Sequence, residues 1–279
     1  MATASAQAVS IYGLSTRDQL VRFDSSAPGA IQQANFIQGL AANESLVGID
    51  YRPATFQLYG LGSFGRIYTL NTATGMASFV ASLFNATTLA PINLNGTEFG
   101  VDFNPVPDRL RVVSNLGQNL RINVTTGATT VDGNLNQTVG NPYIVASAYT
   151  NNFAGATSTT LFNIDSDSNN LTAQIPPNAG TQVVVGALGL DVTSLAGMDI
   201  LTVGTSNPAF AAVQVAGSAG SRLVTINLAT GSATTLGTIG MEQTSDSLAI
   251  RDIAVVPEPA TLTAIFVGLA TIARRRKSN

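Results

Sequence analysis

Three segments of the chain share one layout: IYTLNTATGMASFV (67–80), LRINVTTGATTV (120–131) and LVTINLATGSATTL (223–236). Each is an alternating apolar run, a polar turn ending in glycine, and a second alternating run. Period-two alternation around a glycine-ended loop is a β-hairpin signal. The glycine suits a left-handed residue in a loop of three to four residues. Two weaker copies, LVRFDSSAPGAI (20–31) and LTAQIPPNAGTQVVV (171–185), complete the set. The turn glycines are then Gly29, Gly75, Gly127, Gly180 and Gly231, spaced 46, 52, 53 and 51 residues apart. A period near 50 with several strands per repeat predicts a propeller.

The rest of each repeat falls in phase. A strand precedes each complete hairpin: QLYGLGS (57–63), RLRVVSN (109–115), TTLFNID (159–165) and FAAVQVAG (210–217). Before each of these stands a leading strand: LVGIDYRP (46–53), EFGVDFNP (98–105), YIVASAYTN (143–151) and LAGMDILT (195–202). The first repeat lacks its leading strand and starts at SIYGLST (10–16), while an orphan strand, SLAIRDIAV (247–255), stands at the far end. The orphan is expected to complete the N-terminal blade, which closes the ring and removes the free edge. The predicted fold is an all-β, five-bladed β-propeller over 9–255, with six blades or a solenoid as the fallback. Residues 1–8 read as a leader or signal-peptide remnant on the A-x-A pattern Ala6-Gln7-Ala8, and 256–279 as a separate C-terminal signal.

Composition removes several chemistries. The chain has no Cys, no His and no Trp, so disulfides, Cys nucleophiles, Ser–His triads and His- or Cys-built zinc sites are absent. The only Lys is Lys277. Residues 1–255 carry nine basic and 15 acidic side chains, a net charge of −6. An acidic body argues against nucleic acid as a partner, because phosphate binding needs a basic face. No cofactor is expected.

The stretch GVDFNPVPDRLRVVSNLGQNLRINVTTGAT (100–129), with GIDYRPATFQLYGLGSFGRIYTLN (48–71), resembles the core of a bacterial family of secreted proteins classed as a domain of unknown function. The resemblance covers roughly 11–255. It implies a propeller of the kind just described, and it implies no activity.

Three groups of residues are candidates for chemistry. The leading strands carry Asp50, Asp102, Asp199 and Asp252 at equivalent positions, and only the strand at 143–151 departs, with Ala148. If these strands are innermost, the carboxylates lie near the axis. They would then either bind a cation or sugar hydroxyls, or brace the scaffold by accepting bonds from backbone N–H groups or a neighbouring Arg. Buried carboxylates need partners, and repetition favours bracing. Arg109, Arg111, Asn115, Gln118, Asn119 and Arg121 form the densest polar cluster. Arg109 and Arg111 share one strand face. They would clamp a carboxylate or phosphate, or pair with Asp102 and Asp108 at a blade interface. Asp165, Asp167 and Asn169 have the spacing of a calcium loop, but Asn170 and Pro176 replace its expected Gly and bidentate Glu. The metal expectation is therefore none, with this loop as a weak calcium candidate.

The C-terminus joins Val256-Pro257-Glu258-Pro259, an uncharged stretch over 260–273, and Arg274, Arg275, Arg276 and Lys277. Its 14 uncharged residues make a helix of about 21 Å at ~1.5 Å per residue, short of the ~30 Å hydrocarbon core. The order Pro-Glu-Pro, short hydrophobic helix, Arg cluster resembles the sorting signal of bacterial exosortase substrates. The resemblance implies export by a Gram-negative cell and transient insertion in the inner membrane as a transmembrane helix. It also implies cleavage by an exosortase-type membrane protease, then release to the cell surface or extracellular matrix. The functional expectation is an exported, non-enzymatic binding or structural propeller whose partners are extracellular polysaccharide or surface proteins. The alternative is a carbohydrate-active hydrolase using axial carboxylates, a fold-level analogy.

Overall fold

The leading strand of each repeat is apolar or small on both faces, so it needs cover on both faces. The computed structural model, which describes residues 8–241 and 248–257, provides that cover by placing these strands innermost. The first blade contains β1 (Ser10–Ser15), β2 (Gln19–Asp24) and β3 (Gln33–Phe36). The second is β4 (Leu46–Arg52), β5 (Gln57–Gly62), β6 (Arg66–Leu70) and β7 (Ala77–Ser82), followed by a short β8 (Phe84–Asn85). The third is β9 (Phe99–Asn104), β10 (Arg109–Ser114), β11 (Asn119–Ile122) and β12 (Ala128–Val131). The fourth is β13 (Ile144–Tyr149), β14 (Leu161–Asp165), β15 (Asn170–Gln174) and β16 (Gln182–Ala187). The fifth is β17 (Val192–Ile200), β18 (Ala209–Val215), β19 (Ser221–Ile226) and β20 (Ala233–Thr238), and β21 (Ile250–Val255) ends the series.

The five sheets are antiparallel meanders, and the first is ordered β21-β1-β2-β3. The orphan strand therefore completes the N-terminal blade, pairing Ile11 with Val255 and Gly13 with Ile253. Around the axis β21, β4, β9, β13 and β17 pack in turn, and β17 returns to β21. The ring has five blades. Burial falls from inside to outside: β13 is buried throughout, whereas β7, β16 and β20 are largely exposed. The β8 strand was not foreseen. It adds to the third sheet through a parallel pairing with β12, and two residues carry too little pattern to be read.

The turn glycines serve two needs. In the third-blade hairpin, Asn123 Oδ1 accepts from Thr125 N at 3.1 Å, and Gly127 N donates to Asn123 O at 2.8 Å. Gly127 adopts φ 81°, and a Cβ there would run into the Ser82 carbonyl of the preceding blade. Gly75, Gly180 and Gly231 are also left-handed and also press on the preceding blade. Gly29 departs from the expectation. Its loop spans 25–32 between β2 and β3, long enough to turn without a left-handed glycine at that position.

Four of the five blade junctions are apolar. Leu61, Phe103 and Val112 fill the second–third junction, and Ile164, Met198 and Val213 fill the fourth–fifth. Phe23, Phe210 and Leu223 close the fifth on the first, and Leu14, Ile49 and Leu58 join the first to the second. The third–fourth junction is different. Its apolar cluster is only Val113, Leu135 and Ile144. The expected C-terminal helix lies outside the described residues. Among the described residues, no helix is long and apolar enough to cross a membrane.

Candidate functional site

Placing the leading strands innermost brings Asp50, Asp102, Asp199 and Asp252 to the axis, each 1–3% exposed. Each braces the next blade through a backbone N–H. Asp252 Oδ2 accepts from Ile49 N at 2.9 Å, and Asp50 Oδ2 from Phe103 N at 2.7 Å. Asp102 Oδ1 accepts from Tyr149 N at 3.1 Å, and Asp199 Oδ2 from Val255 N at 2.6 Å. The chain of braces is interrupted at the fourth blade, where Ala148 stands. The remaining oxygens divide into two kinds. Asp199 Oδ1 and Asp252 Oδ1 accept from the following residues, Ile200 N and Ile253 N. Asp50 Oδ1 and Asp102 Oδ2 are buried with no hydrogen-bond partner.

Burial raises the affinity of all four carboxyls for a proton. Asp50, Asp102 and Asp252 are pushed well above the usual carboxylate range, first by desolvation and then by neighbouring carboxylates, with Asp199 acting on all three. Burial pushes Asp199 up to about 6. One carboxylate oxygen from each of Asp50, Asp102 and Asp199 lies within 4.8 Å of the other two, the spacing of a metal-binding triad. Close packing of the inner strands depends on the glycine two residues before the aspartate. A Cβ on Gly48 would collide with Val101, one on Gly197 with Asp252, and one on Gly100 with Ser147. This Gly-x-Asp pattern is legible in three leading strands, and reading the aspartates alone overlooks it.

The polar cluster is only partly brought together. Arg111, Asn119 and Arg121 face the fourth blade from alternate positions of β10 and β11. Arg111 is 1% exposed, and all three of its guanidinium nitrogens donate. Its Nε donates to Tyr149 Oη at 3.1 Å, and its Nη1 to Asn119 Oδ1 and Asp132 Oδ2, both at 2.7 Å. Its Nη2 donates to Asn178 Oδ1 at 2.7 Å, on the β15–β16 loop of the fourth blade. Arg121 closes a fork on Asp132, at 2.6 and 2.9 Å. The expected pairing with Asp102 does not form. Asp102 faces the ring axis, and the partner is Asp132, just beyond β12. Arg109 lies apart, donating to the carbonyls of Pro107 and Asp108. The Asp108 carboxylate pairs with Arg52 of the second blade instead, which holds its carboxyl below the usual range. Asn115 and Gln118 sit at the other end of the hairpin. Asn115 bonds Thr97 and Tyr143, and Gln118 bonds residues 93 and 95.

The fourth blade answers with its own buried polar face. Asn163 donates to Gln174 and Gln182 at 3.1 and 2.8 Å and accepts from Ser147 at 2.6 Å, while Thr172 donates to Gln182 at 2.7 Å. Where this junction opens at one end of the ring lies a cleft of about 540 Å³. Its walls include Asn104, Arg121, Tyr149, Thr159, Gln174 and Asn178. Asp132, Tyr149 and Asn178 were missed as site residues because they lie on separate elements, joined only by folding.

Asp165, Asp167 and Asn169 lie at the turn between β14 and β15, where Asp165 Oδ2 is buried without a hydrogen-bond partner. Asp165 Oδ1 accepts from Asp167 N and Ser168 N, and Asn169 Oδ1 accepts from Val192 N of the next blade. Among the remaining glutamates, Glu44 is buried and accepts from Tyr68 and Arg66 at 2.6 and 3.0 Å. Of the sorting residues, Val256 still follows the sheet, donating to Ser10 O at 2.9 Å, and Pro257 ends the described chain. Glu258, Pro259 and Arg274 to Arg276 lie outside the described residues.

Comparison with solved structures recovers the architecture. A chain in a crystal structure of a nidogen/laminin complex aligns with TM-score 0.50 and 11% identity, over 90% of this chain and 98% of that one. A structural-genomics protein of unknown function from Bacteroides thetaiotaomicron aligns with TM-score 0.49 and 15% identity, over 91% of this chain and 66% of that one. Identities this low speak to the fold alone. No curated protein matches the chain. Residues 255–277 match the PEP-CTERM protein-sorting motif, in agreement with the Pro-Glu-Pro, apolar and Arg order of the tail. Residues 19–254 match the model of the domain of unknown function DUF4394, and the chain belongs to that family.

Proposed function

We propose that the protein is an exported binding propeller that takes a neutral, hydroxyl-rich ligand, a glycan, in the cleft between its third and fourth blades. The observation that carries this reading is the exception at that junction. Four junctions are filled with apolar side chains, and this one is built from amides, hydroxyls and a buried guanidinium. Polar groups fixed by packing suit recognition of hydroxyls, and loops at one end of a rigid ring are the usual place for it. Arg121 is held in a fork by Asp132, a carboxylate it shares with Arg111, so its guanidinium is not free to close a fork on an anion. The hydrolase alternative loses its support, because carboxylates 1–3% exposed on the axis are closed to a polysaccharide.

The tail supplies the address. A sorting motif fits export across the membrane and processing by an exosortase-type protease. We extend this to release at the cell surface or into the extracellular matrix. Proline fixes its own φ and biases its neighbour away from helix, which suits presentation of the Pro257 to Pro259 stretch to the protease.

Two measurements test the reading. A glycan array probed with the full-length chain should return neutral polysaccharides, including the producer's own matrix, and Ser158→Trp at the cleft rim should abolish the signal. Binding that survives this substitution places the ligand elsewhere. In the native host, mass spectrometry should find a C-terminus near 256–260 and no peptide covering LTAIFVGLATIAR. Surface protein that ends at Asn279 would make the tail a plain anchor.

A further inference from the structure

The bracing role accounts for only part of the axial carboxylates. One oxygen of each aspartate accepts from the next blade, and the second oxygens of Asp199 and Asp252 accept from their own strands. Asp50 Oδ1 and Asp102 Oδ2 are left over, in residues 1% exposed, without a well-formed hydrogen bond, the Tyr51 backbone N–H bearing only on the Asp50 carboxyl. Native proteins rarely leave buried polar atoms unpaired, and carboxylate oxygens least of all. Among the described residues, no ion pair involves Asp50, Asp102 or Asp199. Arg251 bears on Asp252 instead. Three acids thus meet in a buried core without a compensating cation among the described residues.

We infer that the ring axis holds one hard divalent cation, calcium, liganded by Asp50, Asp102 and Asp199. The oxygens these residues offer lie within 4.8 Å of one another, the separation that opposed ligands reach at calcium–oxygen distances of ~2.3–2.6 Å. The donor set is oxygen alone, which selects calcium or magnesium over softer metals. Calcium is favoured because it accepts irregular geometry, whereas magnesium demands a near-ideal octahedron and retains waters, for which a sealed axis has little room. The ion would tie the second, third and fifth blades at a single point. It would do so beside the one brace that is missing, at Ala148. The cation is structural and independent of the cleft, so its failure would leave the binding proposal untouched.

The test uses the full chain expressed with calcium in the medium. After passage over a chelating resin, elemental analysis by plasma mass spectrometry should find about one calcium per chain. Because the triad is sealed, the ion should survive EDTA applied to the folded chain and be lost when the chain is unfolded in EDTA. Asp50→Asn and Asp102→Asn keep an acceptor for the bracing N–H, and each should reduce the calcium content at least tenfold. Should these variants fail to fold, the wild-type measurement decides alone. An ion stripped from folded protein by EDTA, or no stoichiometric divalent ion at all, overturns the inference and leaves the axis held by protons.

Discussion

Asp252 on the last strand accepts a hydrogen bond from the backbone N–H of Ile49 at 2.9 Å, across 203 residues of sequence. The bond joins the strand that completes the first blade to the innermost strand of the second. Asp252→Ala strands that buried donor, and leaving a buried donor unsatisfied costs about 1–3 kcal/mol. Asp252→Asn retains an acceptor and removes a carboxylate that burial disfavours, so it should cost less. Denaturant unfolding of the two variants checks the order, and an equal loss in both would assign the effect to charge instead of the brace.

The same strand closes the ring, and its removal should be more damaging than any point substitution. Deleting 247–255 exposes the edge of β1 and uncovers Ile11, Phe23 and Leu223, which pack with Ile250 and Ile253. An unpaired edge beside uncovered apolar surface favours aggregation. Of the described residues, deleting 256–279 removes only Val256 and Pro257, which follow β21. Size-exclusion chromatography and thermal melts should show aggregation or a lost transition in the first truncation and neither in the second.

The hairpin glycines make a sharper local test. Gly127→Ala forces a side chain into the left-handed region, at a cost of order 1–3 kcal/mol, and drives its Cβ against the Ser82 carbonyl. Gly155 has φ 84° with open space around it. Gly155→Ala should therefore show the backbone cost alone. If the two variants lose equal stability, the hairpin tip contributes nothing to blade docking.

The ring and the axial aspartates were legible because both repeat. A period near 50 aligns the leading strands, and alignment alone puts Asp50, Asp102, Asp199 and Asp252 at one height. The third–fourth junction does not repeat, so periodicity carried no information about it. Arg111 was visible as a charge, but Asp132 and Asn178 lie 21 and 67 residues away on non-strand segments. A signal did exist within the fourth blade. Ser147 on β13, Asn163 on β14, and Thr172 and Gln174 on β15 occupy alternate positions of otherwise apolar strands, a polar face inside a buried sheet. The Asp165 turn stays ambiguous in sequence because a calcium loop and an Asx-capped hairpin turn begin with the same residue types.

Asp108 offers a pH test on the outer part of the ring. It accepts a charge-assisted pair from Arg52, and the guanidinium holds its carboxyl below the usual range. A lowered folded value means the pair stabilises above the unfolded carboxylate value near 3.9, and that the gain is lost as pH falls through the folded value. The side chain is 34% exposed, so the pair is worth no more than about 0–1 kcal/mol. Asn tolerates the left-handed φ of 52° at this position. Asp108→Asn should therefore cost that amount at neutral pH and nothing at pH well below ~3.9. A cost that persists in acid would show that the contribution is not electrostatic.

Asp132 and Arg111 form the buried ion pair of the unusual junction, at 2.7 Å with side chains 6% and 1% exposed. Removing one partner of such a pair leaves an uncompensated charge and costs roughly 3–5 kcal/mol. Asp132→Ala should fall in that range, because it strips Arg111 of its only carboxylate partner among the described residues and also releases Arg121. Arg111→Met should cost less, because Asp132 keeps the Arg121 fork and the Met side chain fills part of the guanidinium volume. The double variant should then recover stability relative to Asp132→Ala, since the stranded cation is gone. A double-mutant cycle by guanidinium unfolding measures this coupling directly. Strict additivity would mean that the pair carries no coupling. The cleft provides a second readout, because Arg111 orients Tyr149 and Asn178 on its walls. Arg111→Met should weaken ligand binding while leaving the apolar junctions intact, and unchanged affinity would detach the buried network from the cleft.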